Sequence, residues 1–241
     1  MTALLNATGI DKRFGALVVL EKVDFAVDEN EIIGIVGPNG AGKTTLMNVL
    51  SGAYLPDAGK IVLNGVDVTN ASAPSRCGRG LSRTHQIPRP FLGMTVFENV
   101  LVAASHGAAV SQSESYDIAI DSLKFCNMVG IANRRADNVG LLDRKRLELA
   151  RALATRPKII LLDEIGGGLT DGEANELVDT IRELSKRGIS IVWIEHIVHV
   201  LLKAARRLIC MDGGKIIADG EPNTVMANKT VIEAYLGKTP E

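Results

Sequence analysis

Short apolar runs alternate with helical patterns along most of the chain. Near the amino terminus, the runs at 4–10, 23–27 and 31–36 predict strands, and the third leads straight into a glycine-rich loop. The segment 61–68 predicts a β-hairpin, because Asn64 and Gly65 suit the two positive φ angles of a type I′ turn.

The middle of the chain, from about residue 88 to residue 151, has a helical pattern. Thr95 and Glu98 form a capping box that predicts a helix through residue 104. A polar and small stretch at 106–115 follows. A second helix is then predicted near 116–128, and its apolar face is expected to comprise Tyr116, Ile120 and Leu123.

Strand–helix alternation resumes after this insertion. The apolar runs at 158–162 and 189–194 are typical of strands buried on both faces of a parallel sheet. Between them, Thr170 and Glu173 form a second capping box, and Gly188 marks the end of the helix. The stripe that we expect this helix to bury comprises Ala174, Leu177, Val178, Ile181 and Leu184. A last hairpin turns at Gly213-Gly214, and the whole pattern predicts an α/β fold without internal repeats.

Composition narrows the class of protein. The chain has 241 residues, enough for one large domain or one domain with an inserted subdomain. Hydrophobic residues make up 46% and charged residues 23%, which excludes a disordered chain. The 27 Lys and Arg residues nearly balance the 28 Asp and Glu residues, which argues against a nucleic-acid binder driven by bulk charge.

The cysteines and the apolar runs bear on the compartment. Cys77, Cys126 and Cys210 are far apart and lack CxxC spacing, so we expect buried thiols in a reducing compartment. No signal-peptide pattern is present, and no apolar run approaches the ~20 residues that span a bilayer. We therefore expect a soluble, cytoplasmic protein.

A phosphate-binding loop is the most specific motif in the sequence. Residues 37–44 fit GxxxxGK[ST] between a predicted strand and a predicted helix, which is the context that the motif requires. The loop's N–H groups and the positive end of the helix converge on a phosphate. Lys43 is expected to reach the β- and γ-phosphates, and Thr44 to ligate Mg²⁺. The residues expected to bind the nucleotide here are Gly37, Pro38, Asn39, Gly40, Ala41, Gly42, Lys43, Thr44 and Thr45.

Polar residues follow two later strands. Asp163 fits a partner of Mg²⁺, and Glu164 fits a base that polarises the attacking water. Two acids alone often open a solvated loop, but with the phosphate loop upstream they indicate a site for Mg²⁺ and a nucleotide. His196 follows the strand at 189–194. Because parallel strands open onto one crevice, we expect it to face the γ-phosphate, whereas His106 and His199 are interpreted as structural.

Together these residues resemble the ATP-binding cassette subunits of ABC transporters, over roughly residues 4–238. The resemblance implies a P-loop NTPase fold with an N-terminal antiparallel β region and an inserted helical subdomain. It implies ATP and Mg²⁺ as cofactors and ATP hydrolysis coupled to transport, with catalytic roles for Glu164, His196 and Lys43. Phe14 matches the aromatic residue that stacks on adenine, or is an ordinary core residue. Gln86 matches the glutamine that joins the core to the helical subdomain and touches Mg²⁺.

Three segments are most similar to the ATP-binding subunits of importers for branched-chain or other hydrophobic amino acids, the LivG-like group. They are the entry to the helical subdomain, the switch strand and the tail, at 90–102, 193–196 and 220–237. This resemblance implies one ATP-binding domain over 1–241. It implies a helical subdomain at about 88–151 and a C-terminal tail at about 214–238.

The resemblance also implies partners and a location. Integral-membrane permease subunits are expected to dock near residues 86–94, although Pro88, Pro90 and Phe91 also suit an ordinary loop. A second cassette, identical or paralogous, is expected to sandwich two ATP molecules with this one. A periplasmic or extracellular solute-binding protein is expected to select the solute, and no nucleic acid is expected. The chain is then peripheral on the inner face of the cell membrane.

Two departures from the family pattern stand out. The LSGGQ signature aligns with the segment 139–143, Val-Gly-Leu-Leu-Asp, which lacks the serine and both glycines at their positions. Asp143 is expected to open the following helix and to cap its N–H groups, which predicts an asymmetric pair with a paralogous cassette. In addition, Ile165 replaces the proline after the catalytic glutamate, and Thr170 replaces the D-loop aspartate.

Other functions are compatible with parts of the pattern. The ATPase of a lipid or lipopolysaccharide exporter has a similar tail. A soluble ATP-gated clamp acting on DNA or ribosomes is a second alternative, but tandem cassettes, a long coiled-coil insertion or basic extensions are typical of that class. A nucleotide-binding regulator without hydrolysis is disfavoured by Glu164 and His196.

Overall fold

The structure is a computed structural model that describes residues 3–108, 110–195 and 197–236. The strands, in chain order, are β1 (Leu5–Phe14), β2 (Leu17–Val27), β3 (Ile32–Val36), β4 (Ala58–Leu63), β5 (Val66–Asp67), β6 (Leu81–Arg83), β7 (Ile159–Asp163), β8 (Ser190–Ile194), β9 (Arg207–Asp212) and β10 (Lys215–Gly220). The α-helices are α1 (Lys43–Ser51), α2 (Ala73–Cys77), α3 (Val96–Gly107), α4 (Gln112–Phe125), α5 (Leu141–Ala154), α6 (Asp171–Lys186), α7 (Val198–Ala204), α8 (Pro222–Met226) and α9 (Lys229–Leu236).

A six-stranded sheet carries the candidate site. Its order is β10-β9-β3-β8-β7-β6, with every pair parallel except the antiparallel edge pair β9–β10. Every residue of β3, β7 and β8 is buried, which confirms the predicted central strands. Because β3, β8 and β7 are neighbours and parallel, their carboxyl ends meet at one edge of the sheet.

The hydrophobic core lies on both faces of this sheet. Alternate residues of a strand point to opposite faces. Ile33 and Ile35 therefore pack with α1 and the second sheet, whereas Ile32 and Val36 pack in the cluster that includes α3–α7. No helix in the described parts of the chain is long and apolar enough to cross a membrane.

The second sheet is antiparallel and has the order β2-β1-β4-β5. Asn64 and Gly65 both have positive φ, at 50° and 75°, which confirms the predicted β4–β5 turn. The predicted strands at 4–10 and 23–27 were too short, because β1 and β2 form one long hairpin around Gly15, with φ of 60°. Exposed polar residues interrupt the apolar pattern of that hairpin.

The helices α3–α5 lie between β6 and β7 in the chain. The predicted capping box of Thr95 and Glu98 is present. The second helix starts earlier than expected, because Ser111 accepts a hydrogen bond from the Glu114 N–H and caps α4. The predicted apolar face was wrong: Leu123 is buried, but Tyr116 and Ile120 are exposed. The buried stripe instead combines three small residues with two large apolar ones, namely Ser115, Ala119 and Ser122 with Ile118 and Leu123.

The helix and the hairpin turn predicted for the last third of the chain are present. The capping box of Thr170 and Glu173 is present on α6, and its predicted stripe is buried. Gly188, with φ of 89°, follows the end of that helix, and Gly213-Gly214 turns between β9 and β10. Of the cysteines, Cys126 and Cys210 are buried as expected, whereas Cys77 is partly exposed because α2 is a short surface helix.

Candidate functional site

The phosphate loop joins the end of β3 to the start of α1. Gly37 has φ of 145°, and a Cβ atom there would lie 2.1 Å from the Met211 carbonyl oxygen, so only glycine fits. Gly42 is the N-cap of α1, with φ of 99° and no side-chain cap. The first N–H groups of α1 therefore have no capping side chain, which is the arrangement that binds a phosphate.

Lys43 crosses this loop. Its Nζ donates hydrogen bonds to the carbonyl oxygens of Gly37 and Pro38, at 2.6 and 2.9 Å. Burial lowers the pKa of Lys43, and the nearby charges of Glu164 and Asp163 oppose that shift. The ammonium group thus lies close to the carboxylate that ends β7 and to the one that follows it.

A cavity of about 190 Å³ lies over the loop. The residues that line it are Val19, Asn39, Gly40, Ala41, Gly42, Lys43, Thr44, Thr45 and Glu164. Most of the residues predicted to bind the nucleotide are therefore gathered around one space with a carboxylate at its edge.

Asp163 lies at the buried end of β7. Its Oδ2 accepts a hydrogen bond from Arg83 at 2.8 Å, while its Oδ1 is buried and accepts none from the described residues. Arg83 also donates to Asn48 on α1, so it ties the end of β7 to the helix of the phosphate loop. Sequence reasoning missed Arg83, because only the pairing of β6 with β7 brings it to Asp163.

Glu164 and Gln86 meet at the rim of the cavity, where the Gln86 side-chain amide donates to the Glu164 carboxylate. Glu164 has φ of 48°, the left-handed region that non-glycine residues rarely adopt. A proline after it would push it out of the helical regions. The isoleucine at position 165 avoids that restriction, and its side chain is buried in the core.

Two buried charges hold the loop after Glu164, and sequence reasoning missed both. Glu195 accepts a hydrogen bond from the Gly166 N–H at 2.5 Å, and burial raises the pKa of Glu195. Lys145 on α5 donates to the Gly167 carbonyl oxygen, also at 2.5 Å, and burial lowers its pKa. These contacts tie a loop with three successive glycines to α5 and to the residue that follows β8. His196 lies outside the described residues, so its role stays a prediction.

Phe14 is not among the residues that line the cavity. It lies at the end of β1 with 46% of its surface exposed, so it is not a core residue. Its ring packs edge-on against Tyr54, with 5.4 Å between ring centroids, and Lys12 Nζ lies 5.6 Å from its centroid. Stacking of this ring on adenine stays a prediction.

The segment 139–143 differs from our expectation. Gly140, not Asp143, is the N-cap of α5, and it provides no side-chain cap. Asp143 lies in the first turn and pairs with Arg146 at 3.7 Å, so the predicted capping role was wrong. The exposed side chain of Leu141 lies beside Gly168, where an added Cβ atom would be 3.2 Å from Leu141 Cδ2.

Comparisons with known proteins agree with this geometry. The family model described as ABC transporter matches residues 20–166. A second model, described as branched-chain amino acid ATP-binding cassette transporter, matches residues 215–240.

Relatives match over nearly their whole length. The chain is 33% identical to the high-affinity branched-chain amino acid transport ATP-binding protein BraF of Pseudomonas aeruginosa and 35% identical to LivG of Escherichia coli K12, over 98% of both chains in each case. Among solved structures, it resembles a nucleotide-free ATP-binding cassette from an ABC transporter, with a TM-score of 0.89, 30% identity, and coverage of 98% of this chain and 100% of that one. It also resembles the ADP conformation of an ATP-binding cassette of an ABC transporter, with a TM-score of 0.88 and 30% identity, and the match covers 99% of this chain and 100% of that one.

The family match accounts for the fold and the chemistry together. Cassettes of this family bind nucleotide and act as ATPases, and they work with permease subunits in the membrane. The chain belongs to the ABC transporter family, as an ATP-binding subunit that couples ATP hydrolysis to transport.

Proposed function

We propose that this chain powers the import of branched-chain or other hydrophobic amino acids through separate permease subunits. The names of its relatives and the tail model at 215–240 support this substrate class. The observation that carries the catalytic part is the convergence of Lys43, Glu164 and Gln86 at one cavity, with Asp163 beside it.

The phosphate loop binds the polyphosphate in this proposal. The N–H groups of residues 39–45, at the start of α1, receive the phosphates, and the Lys43 ammonium turns from the loop carbonyls to the β- and γ-phosphates. Glu164 accepts a proton from the water that attacks the γ-phosphate, while the Gln86 amide orients its carboxylate. His196 takes the position next to the γ-phosphate that the family resemblance implies.

The residues at this site suit Mg²⁺. Thr44, Gln86 and Asp163 offer hydroxyl, amide and carboxylate oxygens, the hard ligands that Mg²⁺ prefers together with phosphates. The buried Oδ1 of Asp163, which accepts no hydrogen bond from the described residues, supplies a coordination position. When bound, the ion neutralises charge that develops on the phosphate oxygens.

The permease docks, in this proposal, on the loop that follows Gln86. Ile87 is 73% exposed, and Phe91 and Leu92 are also exposed, so the loop presents apolar side chains. It is braced from behind, because Arg151 lies 5.0 Å from the Phe91 ring centroid and donates to the Arg89 carbonyl oxygen at 2.8 Å. Gln86 connects this surface to Glu164, so that docking and catalysis share one segment.

The working assembly then contains two cassettes, two permease subunits and a solute-binding protein on the far side of the membrane. This chain lies against the inner face of the membrane through the permease. The second cassette is a paralogue, because the segment 139–143 departs from the signature that grips the ATP of the opposite subunit. The domain division expected from the sequence, with a helical subdomain at about 88–151 and a tail at about 214–238, is part of the same proposal.

Replacing Lys43 by alanine tests the proposal in two assays. We expect about 100-fold weaker Mg-ATP binding by calorimetry, because the charged hydrogen bonds to the phosphates are lost. Cells that rely on this chain should also lose uptake of labelled isoleucine. The matched control is Lys60→Ala, which removes an exposed lysine that pairs with Asp67 on the surface. Unchanged binding in the folded Lys43 variant contradicts the site, and lost binding with normal isoleucine uptake contradicts the substrate class.

A further inference from the structure

The C-terminal helix α9 reaches the phosphate loop. Asn228 starts this helix by accepting a hydrogen bond from the Thr230 N–H at 2.9 Å. Val231 on the first turn is buried in the core, whereas Tyr235 on the last turn is 43% exposed. The buried side chain of Val231 thus anchors the first turn of the helix, and its last described turn reaches the phosphate loop.

Tyr235 contacts the first residue of the phosphate loop directly. The Gly37 N–H donates a hydrogen bond to the Tyr235 hydroxyl oxygen at 2.7 Å, although the two residues are 198 positions apart. The Gly37 carbonyl oxygen in turn accepts the bond from Lys43 Nζ at 2.6 Å. Two hydrogen bonds thus connect the C-terminal helix to the ammonium group of the phosphate loop.

The surroundings keep this connection in place. Gly37 is pressed against the backbone of Met211, so the entry of the loop has little room to shift toward β9. Burial raises the pKa of Tyr235, while the hydrogen bond from the Gly37 N–H opposes that shift. The hydroxyl group is uncharged at neutral pH, because the ordinary pKa of tyrosine, about 10, is already far above it, and its oxygen accepts the bond from the Gly37 N–H.

We propose that Tyr235 is a positioning residue of the nucleotide site. Its hydroxyl holds the backbone of Gly37, and with it the entry of the phosphate loop, in the arrangement that receives the phosphates once Lys43 turns toward them. A loop that is already ordered loses less entropy when ATP binds, so this contact raises affinity without touching the ligand. This inference rests on the proposed role of Lys43, and it gives the C-terminal tail a part in nucleotide binding.

Replacing Tyr235 by phenylalanine removes only the hydroxyl group. We expect the Kd for Mg-ATP to rise about three- to tenfold, which is the usual effect of one lost hydrogen bond. Turnover at saturating ATP in the assembled transporter should stay within about twofold, because the lost interaction is made equally in the ground and transition states. The Gly37 amide should also exchange its hydrogen faster in the free protein. Tyr116→Phe is the matched control, since the Tyr116 ring stacks on Phe97 far from the loop in the chain.

Two outcomes overturn the inference. If Tyr235→Phe has an unchanged Kd for Mg-ATP but a lower melting temperature, Tyr235 stabilises the fold and does not position the nucleotide site. Unchanged exchange of the Gly37 amide removes the hydrogen bond itself. The Lys43→Ala variant distinguishes failure of this inference from failure of the proposed nucleotide site. If Lys43→Ala loses ATP binding while Tyr235→Phe binds ATP normally, the nucleotide site is supported and the role of Tyr235 is refuted.

Discussion

Replacing Arg76 by methionine is expected to destabilise the protein strongly. Arg76 on α2 is fully buried, and its guanidinium donates to four backbone carbonyl oxygens. Two of these belong to the last turn of α1, at Val49 and Leu50, at distances of 2.7 and 2.8 Å. The other two are those of Ala71 and Thr69, at 3.1 and 3.0 Å.

The size of the effect follows from these bonds. A cation at the C-terminus of a helix is favoured by the helix dipole, and the carbonyl groups there have no intrahelical partners. Methionine keeps most of the apolar stem but removes the side-chain donors of four carbonyl oxygens, two in buried and two in part-buried bonds, of which the Val49 oxygen keeps a bond from the Gly52 N–H. Each hydrogen bond from a charged donor contributes about 1.5–3 kcal/mol, but losses within one network are not additive, so we expect a total cost of about 3–5 kcal/mol. Lysine keeps the charge but lacks the planar fork, so we expect Arg76→Lys to cost about half as much.

Urea unfolding and thermal melting of the wild type, Arg76→Met and Arg76→Lys measure the loss in the free energy of unfolding. A loss of 3–5 kcal/mol lowers the melting temperature by about 6–20 °C in a chain of this size. Arg79→Met is the matched control, because Arg79 lies three residues on and is exposed, and its substitution should have little effect. The reasoning is refuted if Arg76→Met costs less than about 1 kcal/mol, or if Arg76→Lys is as unstable as Arg76→Met.

Two further predictions concern catalysis. Glu164→Gln should keep Mg-ATP binding and lower the turnover of the assembled transporter by about 100-fold or more, as expected for a positioned base. If the variant hydrolyses ATP at the wild-type steady-state rate, Glu164 is not the general base. The departure of 139–143 from the signature predicts unequal sites, so Glu164→Gln should reduce activity more than the equivalent change in the paralogous cassette. Equal losses, or a stable ATP-dependent homodimer of this chain with normal turnover, contradict that asymmetry.

Local patterns determined much of the fold. The phosphate loop at 37–44, the buried strands β3, β7 and β8, and the two capping boxes were all predicted from a few neighbouring residues. Each of these features arises within one turn or one strand, where hydrophobic runs and backbone geometry act over short distances. The same locality explains the errors. The apolar face of α4 and the capping role of Asp143 depended on what each helix packs against, which its own residues do not specify.

Tertiary structure alone decided how the candidate site is held together. Arg83 reaches Asp163 across 80 residues, Glu195 reaches Gly166 across 29, and Tyr235 reaches Gly37 across 198. An isolated arginine, glutamate or tyrosine has no pattern in the sequence that marks it as a partner. Its partner is set by which strands pair and which helix lies over the sheet edge. The sequence therefore determined which groups can bind a nucleotide, while the order of the parallel strands decided which buried charges and hydroxyl groups position them.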